Sequence, residues 1–362
     1  MKFPPWNRLG DLLVLSITKP QWSSSFERQL QRLTPGGILI TTDFMPSPGI
    51  TREFLCTITR CIASRLFLAI REEGGSMNPL ASLLPPLPSP AVTAWRGPTA
   101  VERSGELIGA ALSHLGFNTN FAPLLDLATP LSSKSLGTRA FGSLPQHVGA
   151  CGAAFLRGLG CHRVLACGKH FPGWGSIPPG NGELAQIAKS MARLWHEDLL
   201  PFRVNLPNLP LVLLSNSAYQ AYDCDYPCAA SLSSAIVGGL LRTKLGYRGL
   251  ALAYGLESLA AHSGASLGDI AVRAINAGCD ILIAEKEESF ITIRQALASA
   301  LETGRLSTER LERSFERLRR AKKGLGQPAG RISPSAWDHL ARSFEQFGSR
   351  IGPMDALVAA RS

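Results

Sequence analysis

Eight short apolar runs, separated by segments of helical periodicity, most narrow the folds open to this chain. They lie at 12–17, 36–41, 66–70, 119–125, 163–168, 211–215, 249–253 and 280–284. Between them, 24–33, 50–63, 99–115, 144–159, 185–205, 232–245, 267–277 and 288–303 place apolar residues three and four apart. The runs are continuous rather than alternating in hydrophobicity, as befits strands covered on both faces. The pattern therefore predicts an α/β protein, a single (β/α)8 barrel of the TIM type over residues 1–325, with a helical tail at 326–362 of one or two helices. A doubly wound open sheet is the competing topology, but no GxGxxG follows the first run.

In such barrels the chemistry sits at the C-terminal ends of the strands. The residues just past each run are Thr42 and Asp43, Arg71, Asp126, Lys169 and His170, Asn216, Tyr254, and Glu285. The fifth run is the most telling, because it delivers Lys169 and His170 into the Pro/Gly-rich loop Phe171-Pro172-Gly173-Trp174. An ammonium and an imidazole held there can donate to several oxygens of one ligand. The stretch that follows, Ser176 to Ala185, contains one carboxylate, Glu183, and no histidine. A site is announced, and its proton-transfer group is missing.

The landmarks Gly36-Gly37-Ile38-Leu39, Glu73-Gly74-Gly75, Leu87-Pro88-Ser89-Pro90, Asn120 to Asp126, Gly137-Thr138-Arg139-Ala140-Phe141-Gly142, Lys169-His170-Phe171-Pro172-Gly173, Ala230-Ser231-Leu232-Ser233 and Leu245 to Gly249 stand in order along the chain. In this order the sequence resembles family 3 glycoside hydrolases, and among them the single-domain β-N-acetylhexosaminidase type that trims cell-wall sugars. The likeness runs over nearly all of residues 10–325. It implies a barrel hydrolase of O-glycosyl compounds, needing no cofactor or metal, in which Arg139, Lys169 and His170 hold the N-acetylhexosamine beside Asp126. A structural alternative pairs Arg139 and Lys169 with Asp126 simply to hold the loops.

The same resemblance marks where this chain departs. The family ends its seventh strand with an aspartate that attacks the anomeric carbon, and here Ala253-Tyr254-Gly255-Leu256 puts Tyr254 in that place. A retaining glycosidase needs that carboxylate both to attack and to face the oxocarbenium-like transition state. A neutral phenol with a pKa near about 10 does neither. The family's Asp-Ser-His acid/base loop aligns with Gly180-Asn181-Gly182, and neither glycine can move a proton. Arg71 replaces a sugar-binding aspartate, Pro79 a distal arginine, Asn216 a histidine, and Trp174 a histidine. Trp174 either stacks on a sugar ring or fills the barrel mouth.

The expectation is a catalytically inactive homologue with no catalytic residue in place. Part of a sugar site is retained in Arg139, Lys169, His170 and Asp126, with Arg71, Trp174 and Asn216 as further candidates. Two active alternatives stand beside it. In one, Tyr254 is an altered nucleophile activated by Glu257 or Glu285, and Arg71 selects an acidic sugar; Glu257, however, also suits the start of the next helix. In the other, Glu183 or another carboxylate completes an ordinary hexosaminidase. The expected ligand is an N-acetylhexosamine-type or acidic sugar, with no protein partner named by the sequence.

The net charge of +10 raises a nucleic-acid reading. Yet eight Lys/Arg against three Glu fall between Arg305 and Lys323, which reads as one solvated helix face rather than a phosphate stripe. Neither nucleic acid nor membrane is expected as a partner. Eight cysteines without CxxC spacing read as buried thiols rather than disulfides or metal ligands. The N-terminus, with Pro4, Pro5 and Asp11, lacks the features of a signal peptide, so a cytoplasmic location is expected. The proline-rich 83–90 reads as a stiff loop.

Overall fold

The apolar runs pair side by side in one closed parallel ring, which leaves no barrel strand with an unpaired edge. The computed structural model describes residues 5–352 apart from 20, 42–44, 131, 175–183, 224, 327 and 329. Of the positions singled out above, Thr42, Asp43, Gly180, Asn181, Gly182, Glu183 and Cys224 lie outside the described residues, as does the tail beyond Gly352. The strands are β1 (Leu13–Ile17), β2 (Gly37–Ile40), β3 (Phe67–Ile70), β4 (Thr119–Asn120), β5 (Leu165–Phe171), β6 (Leu211–Leu214), β7 (Leu250–Ala253) and β8 (Ile281–Ala284). They form a closed barrel in sequence order, completed where Leu13 of β1 pairs with Leu282 of β8. The (β/α)8 architecture is the one expected.

Close packing fixes the entry to β2. A Cβ on Gly36 would lie 1.9 Å from the Asp11 carbonyl oxygen, so no other residue fits there without moving backbone.

Three expectations change in detail. β4 stops at Asn120 instead of reaching 125, because Pro123 has no N–H to give the ladder. The segment still follows β5, with Cys167 N donating to Ala122 O at 3.0 Å and Leu125 N to Lys169 O at 2.7 Å. With the pairing of Phe171 to Leu214 of β6, those bonds carry β5 on to Phe171, so Lys169 and His170 sit within the strand rather than in the loop after it. Residues 185–205 are not one helix. Gln186–Ile187 pairs with Ala218–Tyr219, and helices follow at Met191–His196, which Ser190 caps, and at Leu199–Asn205.

The basic segment is a helix, Thr308–Lys323, but only part of its charge faces water. Arg313, Arg319, Arg320 and Lys323 are exposed. Arg310 turns inward to the Ile275 carbonyl at 2.7 Å, and Arg317 reaches Asp280 at 2.9 Å. Asp280, fully buried just before β8, also binds Arg242 of the helix Ala235–Lys244, accepts from Ser314 Oγ at 2.7 Å and from Ala251 N of β7 at 3.0 Å. One carboxylate thus ties two outer helices to two strands at the N-terminal end of the barrel.

After the barrel, the helix Pro334–Ile351 begins at the Ser333 cap. It buries Trp337, Leu340, Phe344, Phe347 and Ile351, an apolar stripe at helical spacing that packs on the helix Pro98–Leu115. The seven described cysteines carry free thiols; Cys151, Cys167, Cys228 and Cys279 are buried as expected, whereas Cys161 is exposed. Among the described residues no helix is long and apolar enough to cross a membrane.

Replacing Asp280 with Asn leaves arginines facing a neutral group in a dry setting. The expected cost is about 3 kcal/mol in urea unfolding with an unchanged m-value. A loss under about 1 kcal/mol would mean that backbone carbonyls alone satisfy those arginines.

Candidate functional site

The site is built on the turn after β3. Arg71, Glu72 and Glu73 leave the strand together, and Gly74 and Gly75 then reverse the chain with φ of 83° and 60°. At Gly75 a Cβ would also sit 2.7 Å from Ser89 Cα, so the turn lies directly on the proline-rich segment. The 83–90 stretch thus serves as a stiff backing loop, and Gly75 N donates to Leu87 O at 3.1 Å.

Glu72 points inward. Its carboxyl oxygens accept from Gly74 N at 2.7 Å and Leu80 N at 3.3 Å, while Asn120 of β4 grips its backbone through Oδ1 at 2.9 Å and Nδ2 at 2.8 Å. Burial pushes the Glu72 carboxyl up to about 8, against the pull of those two amides.

Glu73 is equally buried but charged. Arg139 grips it with both arms of the guanidinium, Nε at 2.8 Å and Nη2 at 2.7 Å, and the Lys169 ammonium pairs with the same carboxylate. Burial alone would raise this carboxyl, but the Lys169 and Arg139 charges outweigh it and hold it at about 2. Lys169 itself is pulled below its usual range, first by burial, with Glu73 opposing. Its ammonium also donates to Phe121 O at 2.5 Å, and its side chain is only 2 % exposed. Arg139 and Lys169 therefore converge on Glu73 and not on Asp126, the partner the loop-holding alternative gave them.

Asp126 serves His170 instead. Fully buried, it accepts the backbone N–H groups of His170 at 3.1 Å and Trp174 at 2.7 Å, and lies 2.8 Å from His170 Nδ1. Because its oxygens are acceptors throughout, Nδ1 carries the proton in that contact and Nε2 is left toward the mouth. The imidazole is 23 % exposed, enough to meet a ligand. Trp174 packs its ring at 5.1 Å from that imidazole and donates Nε1–H to Ser217 Oγ at 3.1 Å. Beneath them the buried Tyr219 hydroxyl donates to Gly173 O at 2.7 Å.

The far side of the mouth is formed by the ends of β6, β7 and β8. Asn216 spends its amide on the Tyr254 carbonyl at 2.7 Å and accepts from Ser231 Oγ at 3.1 Å. Tyr254 is partly buried, and the Arg71 guanidinium lies 6.0 Å from its ring centre. Burial raises the Tyr254 phenol, Arg71 opposes the shift, and Glu285 and Glu257 add to it. Glu257 opens the helix Leu256–Ser263, accepts from Glu285 N at 2.9 Å through Oε1, and has no partner for Oε2 among the described residues. Burial and the neighbouring Glu257 raise Glu285 as well.

Arg71, Asp126, Arg139, Lys169, His170, Trp174, Asn216 and Tyr254 all stand at the strand-end face the sequence pointed to. Glu73, whose carboxylate joins two of them, was a landmark in the sequence and not a site candidate. The signal was available: two glutamates between an apolar strand and a Gly-Gly turn, with two cations to be neutralised.

A parallel eight-stranded barrel with a charged and aromatic cluster at its C-terminal mouth defines a class of enzyme-type scaffolds, and comparison with known proteins narrows it. Residues 7–321 match the glycosyl hydrolase family 3 N terminal domain. The chain belongs to glycosyl hydrolase family 3. Curated relatives include a beta-hexosaminidase of Alkalilimnicola ehrlichii, 30% identical over 75% of this chain and 79% of that one. Another is a beta-hexosaminidase of Pseudomonas aeruginosa, 31% identical over 72% and 78%. Among solved structures, a family 3 beta-N-acetylglucosaminidase from Paenibacillus sp. superposes with a TM-score of 0.84 at 25% identity, over 96% of this chain and 69% of that one.

Glu72 yields a pH prediction. Its folded pKa is raised, so its contribution is fully present below about pH 4.5 and is lost as pH rises toward about 8. Glu72→Gln removes that dependence. Relative to the variant, the unmodified protein should lose stability on the order of 5 kcal/mol between those limits in chemical denaturation, and parallel pH profiles would refute the assignment. Glu73 works in the opposite sense, being lowered: its contribution is present above about pH 4.5 and lost as pH falls toward about 2.

Proposed function

We propose that this protein binds an N-acetylhexosamine-type sugar at the barrel mouth without hydrolysing it. The observation that carries this reading is Tyr254. It stands at the end of β7, where the family places its attacking carboxylate, and its neighbour there is the cation Arg71. A phenol with a raised pKa is neutral near pH 7 and offers no negative charge to an oxocarbenium-like centre.

The same shift speaks against Tyr254 as an altered nucleophile. Glu285 and Glu257 raise its pKa instead of drawing off its proton, and neither carboxylate hydrogen-bonds the phenol. Retained binding is supported by His170, whose ring is oriented by Asp126 and reaches solvent, and by the partly exposed Arg139 fork. Trp174 beside His170 offers a ring face, while its Nε1 bond to Ser217 fixes the indole in place. The free thiols fit a reducing compartment, and a cytoplasmic location belongs to this proposal.

The test is turnover of a chromogenic N-acetylglucosaminide by purified protein, alongside binding. The expected result is no release above a blank purification, together with a rise in melting temperature on adding N-acetylglucosamine that His170→Ala removes. Turnover abolished by His170→Ala would instead establish a working hexosaminidase. An unchanged melting temperature would leave the protein without sugar binding.

A further inference from the structure

Arg71 is an arginine without an assignment in the fold. It is partly buried at the end of β3, and its guanidinium donates no hydrogen bond and joins no ion pair among the described residues, only facing the Tyr254 ring at 6.0 Å. None of the carboxylates around it forms an ion pair with it, although Glu285, whose carboxyl has no hydrogen-bond partner among the described residues, lies close enough to feel its charge. Glu73 is shared by Lys169 and Arg139, Glu72 is closed over by the Gly74 and Leu80 amides, and Glu257 is turned to the Glu285 amide. Tyr254, whose ring that guanidinium faces, has a hydroxyl with no partner among the described residues.

Two donors without partners thus lie near one another at the strand ends, with the guanidinium 6.0 Å from the phenol's ring centre: one is a planar cationic fork and the other a phenol that keeps its proton. A partly buried guanidinium with no hydrogen-bond partner keeps its N–H groups available to an anionic ligand. A carboxylate fits, since its two oxygens can take two guanidinium N–H groups and the hydroxyl together. The nearby Glu257 and Glu285 favour a singly charged carboxylate over a dianionic phosphate, which they would repel more strongly.

We propose that Arg71 and the Tyr254 hydroxyl recognise a carboxylate on the ligand, so that the sugar bound at this mouth is an acidic one; this rests on the sugar-binding reading above.

Calorimetric titration of three sugars tests it: N-acetylglucosamine, its C6 uronic acid, and its 3-O-lactyl ether. The last two differ from the first by a carboxylate at a different position. One of the two acids should bind about ten-fold tighter than the neutral sugar, an advantage that shrinks near about 1 M salt. Arg71→Gln should bring the ratio of acid to neutral affinity down to about one, and Arg71→Lys should leave it in between, because the ammonium keeps the charge and loses the fork. Since Arg71 has no partner in the fold, both variants should melt close to the unmodified protein. Equal affinity for neutral and acidic sugars, or a preference that survives Arg71→Gln, would overturn the acidic assignment and leave sugar binding standing. Failure of all three sugars to bind would overturn both.

Discussion

The barrel mouth depends on one buried carboxylate. Glu73 accepts both arms of Arg139 and the Lys169 ammonium, so the turn after β3, the short turn Gly137–Arg139 and the end of β5 are locked to each other through a single charge. Each partner needs the others. Lys169 is nearly inaccessible to water, and its charge is tolerable only beside an anion. Glu73, without its two cations, would be driven neutral by its own burial. In the proposed sugar site this makes Lys169 a positioning residue that works through Glu73 and Arg139, while Arg139 and His170 keep more exposure than Lys169.

The charges around that lock are sorted by depth. Glu72, one residue earlier, is sealed under backbone amides and pushed toward its neutral form, whereas Glu73 is held ionised by two cations. Adjacent residues of one type thus reach opposite states because the strand sends them into different surroundings. Asp126 adds a second anchor by binding the backbone and the ring of His170 and the backbone of Trp174. These anchors leave the mouth stiff on the side of β3 to β5. The side of β7 and β8 is less committed, since neither the Tyr254 hydroxyl nor the Glu285 carboxyl has a hydrogen-bond partner among the described residues.

The barrel was legible because strands buried on both faces need continuous apolar runs, and eight of these with intervening helices admit few closures. The mouth residues were legible for a related reason, since whatever follows such a run must face the C-terminal end. Pairing was not legible. Nothing in the spacing says that Lys169 and Arg139 choose Glu73 over Asp126, because that choice depends on where the Gly74-Gly75 turn sets the carboxylate in three dimensions. The limits of β4 and β5 were missed for a similar reason: Pro123 ends one ladder, and the segment beyond it extends the other. The helix at 308–323 was read as a solvated face because composition counts charges and not their directions. Arg310 and Arg317 point inward to a carbonyl and to Asp280.

Retention of a family's landmark residues carries less functional meaning here than their number suggests. Lys169, Glu73 and Asp126 are needed by the fold itself, so they would persist in a chain that bound nothing. Asn216 is similarly occupied, bracing β6 against the Tyr254 carbonyl. The informative positions are those with no structural demand on them: the guanidinium of Arg71, the hydroxyl of Tyr254, the Nε2 face of His170 and the carboxyl of Glu285. A polar group at a barrel mouth with no partner in the fold is available to a ligand. Those four groups include a cation, a neutral donor, an imidazole and a carboxyl of raised pKa, but no ionised carboxylate placed at the end of β7. That combination suits the proposed binding of a polar ring with an acidic substituent better than it suits attack on the ring's anomeric carbon.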